Sequence, residues 1–313
     1  MRWERRGVLL SAPPQRSWSH SHVALPVIEK TAGNSLNLYY SPRDRGGRAH
    51  IARARLEVGA EGGLTVAEHD PDPVLSPGEL GAFDDAGVTV SCVVEGAPGQ
   101  GTLLYYTGWS LGVSVPFYFY AGLAVRRPGE DGFERVSKAP ILERNVVDPY
   151  LTASPWVLRG ADGTWRMWYV SCARWEMDEN PTHPAPRHYY HVRYAQSADG
   201  ERWERAGQVA LDFKDAAEYA MGRPCVVREA DGYRMWLCAR GESYRLAYAS
   251  SAYGLRWERA DDQIELAPAE AWDSEMQAYP AVFDWGERRY LLYNGNGYGR
   301  SGVGYAVSPG GSE

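Results

Sequence analysis

Short runs of alternating apolar and polar residues recur along the chain, and five of them end in a pair of large side chains. The runs are LNLYY, TLLYY, WRMWY, YRMWL and RYLLY, which end at Tyr40, Tyr106, Tyr169, Leu237 and Tyr293. They follow one another at intervals of 56 to 68 residues. Such alternation predicts half-buried β-strands, and a nearly constant interval predicts an internal repeat.

Other predicted strands keep step with these runs. An apolar strand precedes each of them, at 23–29, 88–95, 153–159, 223–229 and 278–284. A third strand follows each run, and a fourth strand follows in the first four units. The fifth unit lacks its fourth strand, whereas Trp3-Glu4-Arg5 matches the WER of residues 203–205 and 257–259. We therefore predict that the N-terminal strand completes the fifth unit.

Five such units predict an all-β protein, a five-bladed β-propeller with four-stranded blades whose last blade is closed by the N-terminal strand. The prediction covers residues 1–313 as a single domain. An open β-solenoid is the alternative, although it would not need the strand exchange. Four tryptophans recur at matched positions and are predicted to pack between blades; they are Trp168, Trp203, Trp236 and Trp257.

Composition and charge exclude several function classes. The formal net charge of −7 argues against binding nucleic acid through phosphate contacts. No apolar run is long enough to cross a membrane, and the start, MRWERRGVLL, lacks the apolar core of a signal peptide. The four cysteines form no C-x-x-C pair, which favours buried free thiols. We expect a cytoplasmic protein without nucleic-acid or membrane partners, and its oligomeric state stays open.

Candidate chemistry lies in the polar segments before each first strand, because these segments lead into the mouth of a propeller channel. The candidates are His20 and His22 in unit one, Asp84 and Asp85 in unit two, Arg144 and Asp148 in unit three, Glu218 and Arg223 in unit four, and Asp273, Glu275, Gln277 and Tyr279 in unit five. Paired carboxylates are the usual equipment for breaking a glycosidic bond.

The histidines raise the question of a metal. His20 and His22 would point to the same side of an extended strand, and His188 and His191 form a second pair. No H-E-x-x-H or similar motif accompanies either pair. We therefore expect no cofactor, with a divalent metal as the alternative.

Several of these segments carry a resemblance to known proteins. They are Ser19-His20, Phe83-Asp84-Asp85, Gly108-Trp109, Asp148-Pro149-Tyr150, Arg223-Pro224, Trp272-Asp273-Ser274-Glu275 and Tyr279-Pro280. Over nearly its whole length the chain resembles the five-bladed propeller superfamily of glycoside hydrolase families 32, 43 and 130. Within it, the chain is most similar to uncharacterised bacterial proteins of the family 32-like type. The resemblance implies a small sugar or glycoside substrate in the central channel.

The chain departs from that superfamily at the catalytic positions. Families 32 and 43 carry a catalytic Asp in blade one, where this chain has His20 and His22. They carry an acid two residues before a Pro in blade four, where this chain has Gly222. Only Asp148 matches the superfamily's pattern, at its blade-three Asp.

Three hypotheses follow. The first is glycosidase-like chemistry, with Asp85 or Glu275 as acid or base, Asp148 orienting the substrate and His20 as an alternative base. The second is a sugar lyase or dehydratase using His with Asp or Glu, and the third is a non-catalytic sugar-binding propeller. The predicted substrate contacts are His22, Asp84, Trp109, Arg144, Glu218, Arg223, Asp273, Gln277 and Tyr279.

Overall fold

The computed structural model describes residues 2–31, 33–177, 186–266 and 269–309, and their regular secondary structure is almost entirely β-strand, as predicted. The strands are β1 (Arg2–Leu10), β2 (Ser21–Lys30), β3 (Ser35–Arg43), β4 (Ala52–Val58), β5 (Leu64–His69), β6 (Gly87–Glu95), β7 (Thr102–Leu111), β8 (Phe117–Arg126), β9 (Glu134–Arg135), β10 (Thr152–Arg159), β11 (Trp165–Met177), β12 (Pro186–Ser197), β13 (Val209–Leu211), β14 (Ala220–Glu229), β15 (Gly232–Arg240), β16 (Tyr244–Ser251), β17 (Glu258–Arg259), β18 (Glu265–Leu266), β19 (Ala278–Trp285), β20 (Arg288–Asn294) and β21 (Val303–Pro309). A 3-10 turn at Asp261–Gln263 and a short helix, α1 (Asn296–Gly299), interrupt them.

Consecutive strands pair in antiparallel fashion. β2 to β5 form one sheet and β6 to β9 a second. β10 to β13 and β14 to β17 form two further groups, joined into one sheet by a parallel bridge between Tyr190 and Ala220. β19, β20 and β21 continue into β1 and then β18.

The N-terminal strand joins the C-terminal strands, which confirms the prediction made from the WER motif. β1 pairs antiparallel with β21, with Glu4 opposite Val307. Its other edge pairs parallel with β18, with Trp3 opposite Leu266. Trp3 is buried and meets the ring of Trp236 edge-on, with centroids 6.5 Å apart. The two ends of the chain therefore hold each other in one sheet.

The first strands of the five groups surround a common centre. β2 contacts β6, β6 contacts β10, β10 contacts β14, β14 contacts β19, and β19 contacts β2. These contacts form a closed ring. The polar segments that precede the first strands therefore converge on this ring.

Four of the first strands bulge at the same point. Leu25, Ser154, Arg223 and Tyr279 have φ between 48° and 56°, and a proline follows each of them. In each strand the register shifts by one residue there, as at a β-bulge. A proline disfavours the right-handed helical conformation of the residue before it. The bulge changes the direction in which the side chain of that residue points.

The recurring tryptophans pack as predicted. Trp168 lies against Tyr233 of the next group, with ring centroids 5.7 Å apart, and its Nε1 donates a 2.7 Å hydrogen bond to the carbonyl of Gly254. Trp203 meets Tyr105 of the preceding group at 6.1 Å. Aromatic side chains thus fill the space between neighbouring groups of strands.

Candidate functional site

Asp84 and Asp148, two of the predicted site acids, are buried and bound by tyrosine and arginine. Asp84 accepts hydrogen bonds from the Tyr106 hydroxyl at 3.1 Å and from Arg135 Nε at 2.9 Å. Asp148 accepts from the Tyr169 hydroxyl at 3.0 Å and from Arg205 at 3.0 Å.

Asp148 has further donors around it. The Ser171 hydroxyl lies 2.6 Å from its carboxylate, and Arg193 lies at 3.4 Å. The Asp148 side chain is completely buried, and that of Arg205 is only 5% exposed. This carboxylate is fully occupied by the protein itself.

An acid paired with an arginine also occurs in the fourth and fifth groups. Asp273 accepts from the Tyr293 hydroxyl at 3.0 Å, from Gln277 at 3.1 Å and from Arg5. Glu218 forms an ion pair of 2.9 Å with Arg259. In each case the arginine comes from an (F/W)ER motif, which lies on an outer strand in three groups and between β12 and β13 in the third group. We call each pair of a leading acid and an (F/W)ER arginine a clasp; the clasps are Asp84–Arg135, Asp148–Arg205, Glu218–Arg259 and Asp273–Arg5.

Arg223 fills the centre of the ring. Its side chain is completely buried, and its two terminal nitrogens donate to the carbonyls of Val90 at 2.6 Å and Pro26 at 2.8 Å. These carbonyls belong to the first strands of two other groups. Burial lowers the pKa of the guanidinium to about 10. Arg223 therefore closes the ring behind the mouth.

The other predicted acids and bases lie nearer to solvent. Asp85 is partly exposed and accepts one hydrogen bond of 3.0 Å, from the backbone nitrogen of Gly81. Glu275 is exposed. His20 is exposed and donates through Nδ1 to Gln15 at 2.9 Å. Asp85 and Glu275 are thus the predicted acids that stand outside the clasps.

Two predicted substrate contacts lie on or against the second group. Trp109 pairs with Gly87, and a Cβ at Gly87 would lie 2.1 Å from the Trp109 Nε1. The indole therefore needs a glycine beneath it. Arg144 is exposed, and its Nε donates to the Tyr120 hydroxyl at 2.7 Å.

Aromatic side chains form a cluster on the side of the ring where the first strands begin. We call it the mouth cluster, and its members are Phe117, Phe119, Trp175, His188, Tyr190, Tyr219, Tyr244, Tyr279 and Tyr298. Phe117 stacks on Phe119 at 4.3 Å between centroids, and Trp175 lies 5.6 Å from both Phe117 and His188. His188 stacks on Tyr190 at 4.1 Å.

Tyrosines continue the mouth cluster on its other side. Tyr244 lies 6.1 Å from Tyr279 and 6.3 Å from Tyr298, measured between ring centroids. The Arg240 guanidinium lies between Tyr219 and Tyr244, at 5.3 Å and 5.5 Å from the two rings. The sequence pattern predicts that such aromatics belong to the core, and among them Tyr279 is the one predicted contact for substrate.

Two histidines at the mouth are held neutral. Burial, followed by Arg43 and Arg300, lowers the pKa of His22 to about 4. Burial, followed by Arg240 and Arg187, lowers the pKa of His188 to about 4. Each imidazole is therefore uncharged near pH 7.

These pKa values predict a loss of stability in acid. The unfolded chain takes up protons on His22 and His188 below about pH 6.5, whereas the folded chain does so only near pH 4. The free energy of unfolding is thus expected to fall between these pH values. In His188→Asn the acid-induced fall should be smaller by about 1 kcal/mol, after allowing for solvent screening of the ring. Urea unfolding across this pH range measures it, and an unchanged pH slope would contradict it.

The histidine pairs show no sign of a metal site. His191 lies 3.5 Å from Asp212 through Nδ1 and receives Arg193 Nε at 3.1 Å on Nε2. Within the described ranges, no group of three or more His, Cys, Asp or Glu side chains is placed to hold a metal ion. The described cysteines Cys92, Cys172, Cys225 and Cys238 are free and buried. Across the same ranges, no helix is long and apolar enough to span a membrane.

A large cleft of about 830 Å³ lies elsewhere, on the outer edge of the fourth group. Asp231 and Arg234 in its wall are paired with each other at 2.7 Å. Tyr253 in the same wall is 81% exposed. The cleft is therefore a solvated outer surface, whereas the polar groups at the mouth of the ring are buried.

Comparison with known proteins identifies the family. Two uncharacterized proteins of Mycobacterium tuberculosis, from strains CDC 1551 and H37Rv, are each 40% identical to the chain over 311 residues. The match covers 98% of this chain and 99% of each relative. The chain belongs to the family of these mycobacterial proteins. No model of a protein family matches it.

Solved structures show which fold this family shares. A structure from the family 130 of mannoside phosphorylases and glycoside hydrolases superposes with a TM-score of 0.71 at 14% identity, covering 99% of this chain and 96% of that one. β-1,2-Mannobiose phosphorylase from Listeria innocua gives 0.67 at 9% identity, covering 99% and 97%. A thermostable family-43 glycoside hydrolase gives 0.63 at 12% identity, covering 96% and 93%. The chain thus shares its fold with these glycoside hydrolases and phosphorylases, as the resemblance in its sequence implied.

Proposed function

We propose that the protein is a carbohydrate-active enzyme, a single five-bladed propeller over residues 1–313 that binds a sugar at the mouth of its ring. The closed ring of first strands and the shared glycosidase fold support the architecture. A closer relation to family 32 than to families 43 and 130 stays a prediction.

The mouth cluster is the observation that carries this proposal. Aromatic rings offer flat apolar faces with polar edges, and the C–H faces of a pyranose ring suit such surfaces. Trp175 and Phe117 are only partly buried, although they pack against buried residues of the same region. Partly buried aromatic side chains beside the ring of first strands provide a flat apolar surface on which a sugar can bind.

We assign the clasps to structure and the acid–base chemistry to the free acids. The carboxylates of Asp84, Asp148 and Asp273 already accept several hydrogen bonds each, which leaves them poorly placed to exchange protons with a substrate. Asp85 and Glu275 remain as the acid and base of glycosidase-like chemistry.

A second candidate is elimination at a sugar ring. Burial lowers the pKa values of His22 and His188, and among the described residues the charged neighbours that lower them further are arginines. A neutral imidazole can accept a proton, and an arginine can stabilise the negative charge that develops. Elimination would yield a product lighter by one water, which mass spectrometry separates from hydrolysis.

The proposal predicts that Trp175→Ala weakens sugar binding about tenfold, which equals about 1.4 kcal/mol. The reason is loss of the largest ring in the mouth cluster. Calorimetric titration with a panel of mono- and disaccharides, together with mass spectrometry of the products, provides the measurement. Trp285→Ala removes a partly buried indole at the far end of β19 and serves as the matched control.

Three outcomes are informative. Weaker sugar binding by Trp175→Ala, together with wild-type affinity in Trp285→Ala, supports sugar binding at the mouth. Sugar binding without any product would favour the non-catalytic propeller over an enzyme. Equal binding by wild type and Trp175→Ala, with both folded, would contradict the placement of the site.

A further inference from the structure

The short helix α1 has a left-handed backbone at its centre. Gly297 has φ 65° and ψ 36°, and Tyr298 has φ 60° and ψ 35°. Gly299 continues the turn with φ 93°. Glycine adopts such a conformation readily, whereas it is strained for a residue with a bulky side chain. Tyr298 is thus a strained residue between two glycines that are not.

The strain at Tyr298 is not part of the repeat. Among the described residues, Tyr298 is the one non-glycine residue with positive φ between the second and third strands of a group. The four bulged residues of the first strands each precede a proline, whereas Tyr298 precedes Gly299. Strained residues persist where their surroundings hold them, and they cluster at binding and active sites.

Hydrogen bonds hold the left-handed turn from the fifth group. The Asn296 Oδ1 accepts from the backbone nitrogens of Glu275 at 2.9 Å and Met276 at 3.0 Å. The Asn296 Nδ2 donates to the carbonyl of Ala271 at 3.0 Å. The turn is therefore fixed to the segment that carries Glu275, one of the two acids outside the clasps.

The first group supports the turn from the other side. A Cβ at Gly299 would lie 2.9 Å from the Ala24 Cα, so the turn and β2 are in close backbone contact. The Asn294 Oδ1 accepts from the backbone nitrogen of Leu25 at 2.8 Å, and its Nδ2 donates to the carbonyl of Gly302 at 2.9 Å. Both neighbouring groups thus fix the place of Tyr298.

The side chain that the turn holds lies at the mouth. Its ring centroid is 6.3 Å from that of Tyr244, which in turn is 6.1 Å from that of Tyr279. Tyr298 is 37% exposed and is the most exposed of the described members of the mouth cluster. Its ring is therefore both fixed in place and open to a ligand.

We propose that Tyr298 is a substrate-contacting residue, and that the left-handed turn holds its ring against the sugar. This inference rests on the proposed sugar-binding function. A ring that is already fixed loses little conformational freedom when the sugar binds, so more of the contact contributes to affinity. The anchor through Asn296 also fixes this contact relative to Glu275, so that the sugar would lie where the fifth group meets the first.

Unfolding experiments that compare glycine with alanine test whether the turn strains its central residue. Both substitutions remove the ring of Tyr298, but only glycine relieves a left-handed backbone. Tyr298→Gly is therefore expected to fold with an equilibrium constant about fivefold larger than that of Tyr298→Ala. Tyr253, which is 81% exposed and has a negative φ, is the matched control. There alanine should be the more stable choice, and urea unfolding of the four variants measures both differences.

Calorimetric titration tests the sugar contact, with glucose, mannose, galactose, xylose, maltose and cellobiose as probes. Tyr298→Ala and Tyr298→Gly should each weaken binding of the preferred sugar about tenfold, because both lose the ring. Tyr298→Phe keeps the ring and should retain most of the affinity. Tyr253→Ala loses an exposed tyrosine away from the mouth and should bind as wild type does.

Trp175→Ala separates failure of this contact from failure of the proposed function. Wild-type affinity in a folded Tyr298→Ala, with weaker binding by Trp175→Ala, would overturn the contact at Tyr298 and leave sugar binding at the mouth standing. Tyr298→Ala as stable as Tyr298→Gly would overturn the held ring. Weaker binding by Tyr298→Ala alone would support Tyr298 and contradict the role of Trp175, whereas a wild type that binds none of the six sugars would contradict both.

Discussion

Asp148→Asn is expected to lower the free energy of unfolding by about 3–5 kcal/mol, because it breaks a buried ion pair from one side. The asparagine keeps the shape of the side chain and removes its charge. Arg205, whose side chain is 5% exposed, would then lie buried opposite a neutral amide, and the Tyr169 and Ser171 hydroxyls would lose a strong acceptor. Urea unfolding of wild type and variant measures the difference.

Asp85→Asn is the matched control for this experiment. Asp85 is partly exposed and its carboxylate accepts a hydrogen bond from Gly81, so its replacement should cost less than about 1 kcal/mol. If Asp148→Asn instead unfolds like wild type and loses turnover of a sugar, Asp148 belongs to the catalytic machinery. The pair of variants therefore separates a clasp from an acid catalyst.

Trp3→Ala is expected to destabilise the protein by about 3–5 kcal/mol, because the change leaves a large cavity among fully buried side chains. Trp3 packs with Trp236, Leu291 and Ala306, which belong to the fourth and fifth groups. It is thus one of the contacts by which the N-terminal strand closes the fifth sheet. Urea or thermal unfolding measures the loss.

Val8→Ala controls for the strand itself. Val8 lies on the same strand and is 40% exposed, so its truncation should change the free energy of unfolding by less than about 1 kcal/mol. A Trp3→Ala protein as stable as wild type would contradict the view that β1 is part of the core.

The architecture could be predicted from the sequence because it is built from a repeated unit. The alternation of apolar and polar residues predicts the strands, and the interval between LNLYY-type runs predicts how the strands are grouped. The pairing of β1 with β21 followed from the match of Trp3-Glu4-Arg5 to the later WER motifs. Repeated local patterns survive in sequence because each unit must solve the same packing problem.

The roles of the acids could not be predicted in the same way. Asp84, Asp148, Glu218 and Asp273 were correctly placed before the first strands, but their partners are distant in sequence. Arg205 lies 57 residues from Asp148. The signal was present, since arginine recurs in every (F/W)ER motif. An acid and an arginine that recur together in several units are typical of a structural pair. A catalytic residue, in contrast, is needed at a single position in the protein.

The mouth cluster was missed for a different reason. Its aromatics resemble core residues in sequence, and the register that places Tyr190 beside Ala220 joins strands of two different groups. His188 had been considered as a metal ligand, whereas the structure stacks it on Tyr190. Exposure of a side chain and the lack of a hydrogen-bond partner are properties of three-dimensional packing, so no spacing rule reports them.

The bulges of the first strands have a consequence for how this family can change. Leu25, Ser154, Arg223 and Tyr279 are four different side chains in one backbone conformation, each followed by a proline. The backbone at this position therefore accepts an aliphatic, a hydroxyl-bearing, a charged and an aromatic side chain. Substitutions of Leu25, Ser154 or Tyr279 can change the side chain that faces the ring without any loop having to be rebuilt, whereas Arg223 also joins its strand to two other first strands through hydrogen bonds.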